Sequence, residues 1–150
     1  MVLTNLGELK LIMKINSGID LVEVERLSKA YKNFGSRFLT RIYDPLEIEQ
    51  FNKKSHRAKP NFLAKSFAAK EAVSKVLGVG FSQGVRPKDI VVLRRYGPPK
   101  VELKGKAKEL ANKKGIDNIS LSLSDTDNLA VAVAQAIISC LLYTSPSPRD

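Results

Sequence analysis

The chain has 150 residues, of which 43% are hydrophobic and 27% are charged, close to the average for globular proteins. A single cysteine and a single histidine exclude an internal disulfide and nearly exclude a zinc site made of these residues. No apolar run reaches the about 20 residues of a membrane span, and no secretory signal is evident. We therefore expect a cytoplasmic protein with no membrane partner, and the net charge of +10 indicates a polyanionic partner instead.

The two ends of the chain differ from its middle. We expect residues 1–12 to be an extension without an assigned function and residues 13–139 to be one domain. Residues 140–150 are rich in serine and proline and resemble translated adapter sequence rather than native protein. We expect them to form a disordered tail that continues neither a strand nor a helix.

The first third of the domain predicts one strand and two helices. Residues 15–22 are typical of a short strand that leads into a helix at residues 23–34. Further on, Asp44 and Glu47 have the spacing of a capping box, and Pro45 between them fits the first position of a helix. A short second helix should therefore begin at this point.

The rest of the domain predicts a long helix followed by strands. Apolar residues recur at near-helical spacing over residues 60–77, so this is the longest predicted helix. The remaining elements are predicted strands at residues 90–93, 100–103, 119–124 and 129–138 and a basic helix at residues 106–114. Strands that pair as neighbours around one long helix describe an α+β domain.

Two isolated carboxylates are the candidates for chemistry. Asp20 lies where the first strand runs into a helix, and Glu71 lies on the long helix among small residues that leave room for a bulky ligand. Such a pair suits Mg²⁺, which takes one or two protein carboxylates and fills its other positions with water and phosphate oxygens. Lys70 and Lys75 flank Glu71 and could neutralise a pyrophosphate.

The same residues also have simpler interpretations. Glu71 and Lys75 are four residues apart in the favoured order, so they could form an exposed helical ion pair worth about 0.3 kcal/mol. Asp20 could cap the helix that follows it. Taken singly, the residues leave both interpretations open.

Two longer segments resemble one family. Residues 18–27 (GIDLVEVERL) and residues 62–78 (FLAKSFAAKEAVSKVLG) are similar, in order and spacing, to the two signatures of the holo-[acyl-carrier-protein] synthases. These are the small group of 4'-phosphopantetheinyl transferases, and the resemblance extends over about residues 13–139. It implies their fold, an antiparallel sheet packed around one long helix. It also implies transfer of 4'-phosphopantetheine from coenzyme A to a serine of apo acyl carrier protein, with release of 3',5'-adenosine bisphosphate.

The resemblance also implies roles for single residues. Asp20 and Glu71 would bind Mg²⁺, and Glu71 and Lys75 would be catalytic, with either Glu71 or a metal-bound water as the base. The residues expected to bind coenzyme A are Lys70, Lys75, Gly78 and Gly80. Asp125 stands where many members carry histidine and receives no chemical role.

A basic region is expected to meet the carrier protein. The family resemblance implies that Arg26 contacts an acidic helix of acyl carrier protein. Other basic residues of the first helix and just beyond it would steer that partner, namely Lys29, Lys32, Arg37 and Arg41. The resemblance further implies a homotrimer with active sites at subunit boundaries.

Two other functions compete with the transferase. A small nucleic-acid-binding module would explain the positive charge, but no aromatic residues interleave with the lysines of residues 104–114 to stack bases. A catalytically silent protein that only binds the carrier is the second alternative. We therefore expect no nucleic-acid partner.

Overall fold

The structure, a computed structural model, describes the backbone of residues 9–143 and the side chains of residues 10–139. Its elements in chain order are β1 (Leu9–Glu23), α1 (Val24–Phe34), α2 (Ser36–Ile42), α3 (Pro45–Asn52), α4 (Lys59–Val76), β2 (Ile90–Leu93), β3 (Lys100–Leu103), α5 (Gly105–Lys114), β4 (Ser120–Asp125) and β5 (Leu129–Tyr143). A short 3₁₀ turn, Pro87–Asp89, precedes β2. No helix in the described part of the chain is long and apolar enough to cross a membrane.

The strands form two antiparallel sheets around α4. One sheet has the order β1–β5–β4, and the other pairs β2 with β3. Helix α4 packs against strands of both sheets, and α1 and α3 cover its other side. The predicted α+β class and the long central helix are confirmed, with the strands divided between two sheets.

The two longest strands exceed their predicted bounds. Strands β1 and β5 pair over their whole length, from Leu9 opposite Tyr143 to Glu23 opposite Leu129. The prediction that the tail cannot continue a strand is therefore wrong for residues 140–143, and residues 9–12 likewise belong to the sheet. Residues 1–8 and 144–150 lie outside the described residues, and the division of the chain into extension, domain and tail stays a prediction.

The predicted capping box is confirmed at the start of α3. The backbone N–H of Leu46 donates to Asp44 Oδ1 at 3.0 Å, and the backbone N–H of Asp44 donates to Glu47 Oε2 at 2.8 Å. Both donors belong to the end of a helix that has no preceding turn to accept them. This exchange fixes the direction in which α3 leaves the chain, and it places the Glu47 carboxylate inside the core.

Small residues let α4 lie close to the sheet. The inner face of β5 is a row of buried alanines, and α4 turns buried alanines toward the core at four-residue spacing. These are Ala130, Ala132, Ala134 and Ala136 on β5, and Ala64, Ala68 and Ala72 on α4. Because alanine has no side chain beyond Cβ, the helix backbone can approach the strands closely.

Gly18 marks the closest approach between the helix and β1. A Cβ placed on Gly18 would lie 2.0 Å from the backbone carbonyl oxygen of Ala72 and 2.9 Å from Lys75 Cβ. Only a residue without a side chain fits at this point, and the contact is with helix backbone, which cannot rotate away. Gly18 therefore sets the distance between β1 and the part of α4 that carries Glu71.

We expect Gly18→Ala to destabilise the protein by about 3 kcal/mol, because the added methyl group must push β1 and α4 apart. Urea unfolding followed by circular dichroism at one protein concentration measures this. Ser17→Ala is the matched control, since Ser17 is exposed on the opposite face of the same strand. A loss below about 0.5 kcal/mol, the usual scale of surface substitutions, would contradict the proposed contact.

Candidate active site

Asp20 lies within β1 on the face that is turned toward α4. The N-cap residue of α1 is Glu23 and not Asp20, and the Glu23 side chain makes no capping hydrogen bond. The interpretation of Asp20 as a helix cap is therefore wrong. Its carboxylate instead lies mostly buried beside Lys75 of α4, with Lys75 Nζ 3.2 Å from Asp20 Oδ1.

Lys75 joins the helix to the strand. Its ammonium also donates to the backbone carbonyl of Ile19 at 2.5 Å, so it bridges two successive residues of β1. The exposed helical ion pair between Glu71 and Lys75 is not formed, since Lys75 turns to Asp20 instead. Both simple interpretations of these residues fail because β1 and α4 lie against each other.

The Glu71 carboxylate has no protein partner among the residues whose side chains the structure describes. Its pKa is raised, first because the side chain is half-buried and second because the Asp20 carboxylate lies nearby, while Lys75 and Arg26 lower it. Asp20, Glu71, Lys75 and Arg26 thus share one electrostatic environment. Asp20 is paired with Lys75, whereas Glu71 has no partner among the described side chains, so the two carboxylates together can bind a cation.

The donor set fits a hard cation such as Mg²⁺. No group of three or more His, Cys, Asp or Glu side chains in the described part of the chain could hold a metal ion. A site at this position therefore has two carboxylates at most, those of Asp20 and Glu71. Mg²⁺ is commonly held by one or two carboxylates plus water and phosphate oxygens, so this set of oxygens suits it.

Lys70 does not face the site, and the prediction that it binds coenzyme A is wrong. Its side chain is fully buried, and its ammonium donates to Glu47 Oε2 at 2.6 Å, to Ile90 O at 2.6 Å and to Pro87 O at 3.1 Å. These three bonds use all three donors of the ammonium. Burial lowers the pKa of Lys70 and raises the pKa of Glu47, and their mutual attraction opposes both shifts.

Gly78 and Gly80 begin the loop that leaves the C-terminal end of α4. Both have a left-handed backbone, with φ of +81° and +57°, which favours glycine. The space beside Gly80 is open to 4 Å, whereas a Cβ on Gly78 would lie 2.9 Å from Lys114 Nζ. The loop therefore starts one turn beyond Lys75 and leaves backbone exposed there.

Two residues that fix the end of α4 were not predicted. The side-chain amide of Asn16 donates to Val76 O at 3.1 Å, and Lys114 Nζ donates to Leu77 O at 2.5 Å. They satisfy carbonyls that the helix leaves without partners at its end. The sequence gives no signal for either contact, because each joins residues that are far apart along the chain.

Arg26 lies on the exposed side of α1 close to the same site. Its guanidinium carbon is 5.9 Å from the ring centroid of Phe67 on α4, and its charge lowers the pKa of Glu71. Arg26, Ala30 and Phe34 follow one another at four-residue spacing, so they share one face of α1. Phe34 is 63% exposed at the end of that face.

Asp125 pairs with residues of α4. Its carboxylate pairs with Lys65 Nζ at 2.8 Å and accepts from the Asn61 side chain at 2.7 Å. Asn61 also donates to Thr126 O at 2.8 Å. These contacts attach the turn between β4 and β5 to the first part of α4.

The model of the 4'-phosphopantetheinyl transferase superfamily matches residues 16–134, which include the second half of β1, all of α4 and the turn held by Asp125. The chain belongs to this superfamily. It is 48% identical over 126 residues to the holo-[acyl-carrier-protein] synthase of Thermoanaerobacter sp. (strain X514), covering 83% of this chain and 88% of that protein. It is 43% identical over 121 residues to the enzyme of the same name from Vibrio cholerae serotype O1 (strain ATCC 39541 / Classical Ogawa 395 / O395), covering 80% and 94%.

Solved structures of the same group share the fold. The acyl carrier protein synthase of Plasmodium yoelii with ADP bound superimposes with a TM-score of 0.74 at 33% identity, over 86% of this chain and 99% of that one. The Helicobacter pylori holo-[acyl-carrier-protein] synthase in complex with coenzyme A gives a TM-score of 0.67 at 31% identity, over 83% and 99%. The family and the fold predicted from the two sequence signatures are confirmed.

Proposed function

We propose that the chain transfers the 4'-phosphopantetheine arm of coenzyme A to a serine of an acyl carrier protein at the site of Asp20, Glu71 and Lys75. The observation that carries this proposal is the contact of Lys75 with Asp20 across β1 and α4, which brings both signature segments into one site. The fold alone would not locate the chemistry.

The relationship to known enzymes supports this activity. The chain is a phosphopantetheinyl transferase, because the superfamily model covers most of it and its relatives are holo-[acyl-carrier-protein] synthases. A related structure from Helicobacter pylori contains coenzyme A. The transferase is therefore favoured over a nucleic-acid-binding module, and coenzyme A is the donor.

The reaction has simple requirements. The serine oxygen bonds to the β-phosphorus of coenzyme A, and the phosphorus–oxygen bond to the nucleotide breaks. 3',5'-Adenosine bisphosphate leaves with that electron pair, and the serine proton passes to a base. Such phosphoryl transfers depend mainly on positioning and on stabilising charge in the transition state.

The chain's own residues meet these requirements. Asp20 and Glu71 would hold Mg²⁺, which when bound supplies positive charge to the pyrophosphate oxygens. Lys75, about half exposed beside Asp20, can turn its ammonium toward phosphate oxygens and stabilise the charge that develops there. The exposed backbone at Gly78 and Gly80 allows the nucleotide to approach the end of α4 closely.

We expect Asp20→Asn and Glu71→Gln each to reduce transfer by about 10³-fold or more while the fold is kept, because each removes a charge from the cation site. The mass gained by apo acyl carrier protein after incubation with coenzyme A and Mg²⁺ measures transfer. Calorimetric titration with Mg²⁺ should show that binding is lost in parallel.

Glu25→Gln is the control for this experiment, since Glu25 is an exposed carboxylate of α1 that pairs with Lys29 at 2.9 Å. It should leave both turnover and Mg²⁺ binding unchanged. Wild-type turnover in either site variant would refute the metal assignment. Carrier binding without any mass gain in the wild-type protein would favour the silent binder.

The exposed face of α1 that contains Arg26 and Phe34 is the proposed docking surface for the carrier. Arg26 makes no ion pair with any residue whose side chain the structure describes, so its charge is available to an acidic partner. The apolar Phe34 would cover apolar residues of that partner. A charged anchor near an exposed aromatic ring is common at the centre of protein interfaces.

We expect Arg26→Glu to raise the KM for the carrier roughly tenfold, a loss of about 1.4 kcal/mol, with a much smaller change in the KM for coenzyme A. Steady-state kinetics at two salt concentrations test this, and the difference should shrink at high salt. Lys113→Glu on α5 is the control for the change in net charge. Equal effects of Arg26→Glu on both KM values would count against docking at this face.

The outer face of the three-stranded sheet supports self-association, which we propose to be a homotrimer. Helix α4 covers the inner face, whereas the outer face carries exposed apolar side chains on both sides of the polar pair Ser17 and Gln135. These are Leu11, Met13, Ile15, Ile19, Leu21, Val133 and Ile137. A patch of this kind marks a protein interface, and Asp20 alternates with Ile19 and Leu21 along the same strand.

We expect sedimentation equilibrium to give three times the mass of the chain, and Ile15→Lys to dissociate this assembly. Ile15 is 64% exposed and lies opposite Ile137, itself 60% exposed, so a lysine there places a charge in the middle of the patch. Tyr96→Lys in the β2–β3 turn should leave the assembly intact. A wild-type protein that sediments as a monomer would refute the proposal.

We also propose that the transferase is located in the cytoplasm. The sequence contains a single cysteine, which agrees with a compartment where disulfides do not form.

A further inference from the structure

The core contains one ion pair that the proposed chemistry does not use. Glu47 of α3 and Lys70 of α4 are both fully buried, with 2.6 Å between Oε2 and Nζ. Their remaining polar atoms are also satisfied, since Glu47 accepts from the backbone N–H of Asp44 at 2.8 Å and of Val92 at 3.1 Å. With the two carbonyls that accept from Lys70, five directional bonds converge on the pair.

These bonds join three separate segments to one point of α4. Glu47 belongs to α3, Pro87 to the 3₁₀ turn, and Ile90 and Val92 to β2, while Lys70 is the residue immediately before Glu71. The pair therefore fixes α4 one residue from the open carboxylate. Lys75 fixes the same helix on the other side of Glu71.

The alanine contacts of α4 with the sheet are less directional than these bonds. Along the alanines of β5 and at Gly18 the helix lies close to the sheet with little side-chain relief, while Phe62, Leu63, Val73 and Val76 of α4 pack elsewhere in the core. Hydrogen bonds and ion pairs depend on direction and on distances of a few tenths of an ångström, so they resist sliding and rotation of the helix. A displacement of about 1 Å at a catalytic group can cost on the order of 100-fold in rate.

Stability alone does not account for two charges in this core. The cost of removing a carboxylate and an ammonium from water largely offsets their attraction, and apolar residues of similar volume often serve as well or better. Such a pair can instead select one arrangement of the packed elements over others.

We propose that the buried Glu47–Lys70 ion pair is a positioning device, which holds α4 in the register that presents Glu71 and Lys75 to Asp20. This inference rests on the proposed role of the Asp20, Glu71 and Lys75 site. Both side chains are fully buried, so Glu47 and Lys70 are positioning residues that act through α4 and not catalytic residues.

The test replaces the pair by Glu47→Met together with Lys70→Met, which keeps volume and removes both charges. Its matched control is Glu49→Met with Lys53→Met, an exposed ion pair of the same residue types at the C-terminal end of α3, with an Nζ–Oε1 distance of 2.7 Å. Each protein is assayed at the same interval below its own melting temperature, so that lost stability does not appear as lost rate.

We expect the buried-pair variant to lose about 100-fold in kcat, with the KM values for coenzyme A and the carrier changed less than about threefold. The control should retain the wild-type kcat. A wild-type kcat in a folded buried-pair variant would overturn the proposal, and so would a loss that appears only in KM.

Glu47→Gln keeps the test decisive if the double variant does not fold. It retains an acceptor for Val92 and changes only one charge, and we expect a decrease in kcat of roughly tenfold. A folded Glu47→Gln protein with full kcat would also overturn the proposal. If instead the proposed Asp20, Glu71 and Lys75 site is wrong, Glu71→Gln will keep the wild-type turnover. That result does not depend on the buried-pair variants, so the two failures can be told apart.

Discussion

The close contact between Gly18 and the backbone of Ala72 is the constraint on which the rest of the structure depends. It lets α4 lie directly on β1, at a distance that no side chain at position 18 would permit. Lys75 can reach Ile19 and Asp20 only because the helix is this near. The row of alanines on β5 continues the same close surface, so one sheet supports the whole length of the helix.

Polar contacts then fix the position of α4 along the sheet, which the contacts with alanine and glycine leave less restricted. Asn16 and Lys114 hold the C-terminal end of α4, and the buried pair of Glu47 and Lys70 holds its middle. Between these points the Glu71 carboxylate has no protein partner, although burial and Asp20 both raise its pKa. A carboxylate kept in this state is costly for folding and useful for binding a cation, as is common at functional sites.

Much of the fold could be predicted from local pattern. The capping box of α3, the bounds of the long helix and the pair of short strands β2 and β3 all follow from residues that are close in sequence. The full lengths of β1 and β5 could not be predicted in this way. Each strand continues because the other pairs with it across the whole sheet, and that pairing joins opposite ends of the chain.

The sequence by itself determined the family, through two signature segments that are recognisable by their order and spacing, and it predicted Asp20 and Glu71 as the candidate site residues. It did not determine which lysine serves that site. Lys70 and Lys75 lie about 140° apart around the helix, and α4 is buried on nearly every side, so no polar face distinguishes them. Only the tertiary structure decided that Lys70 meets Glu47 in the core and that Lys75 meets Asp20, because those partners come from other elements of the fold.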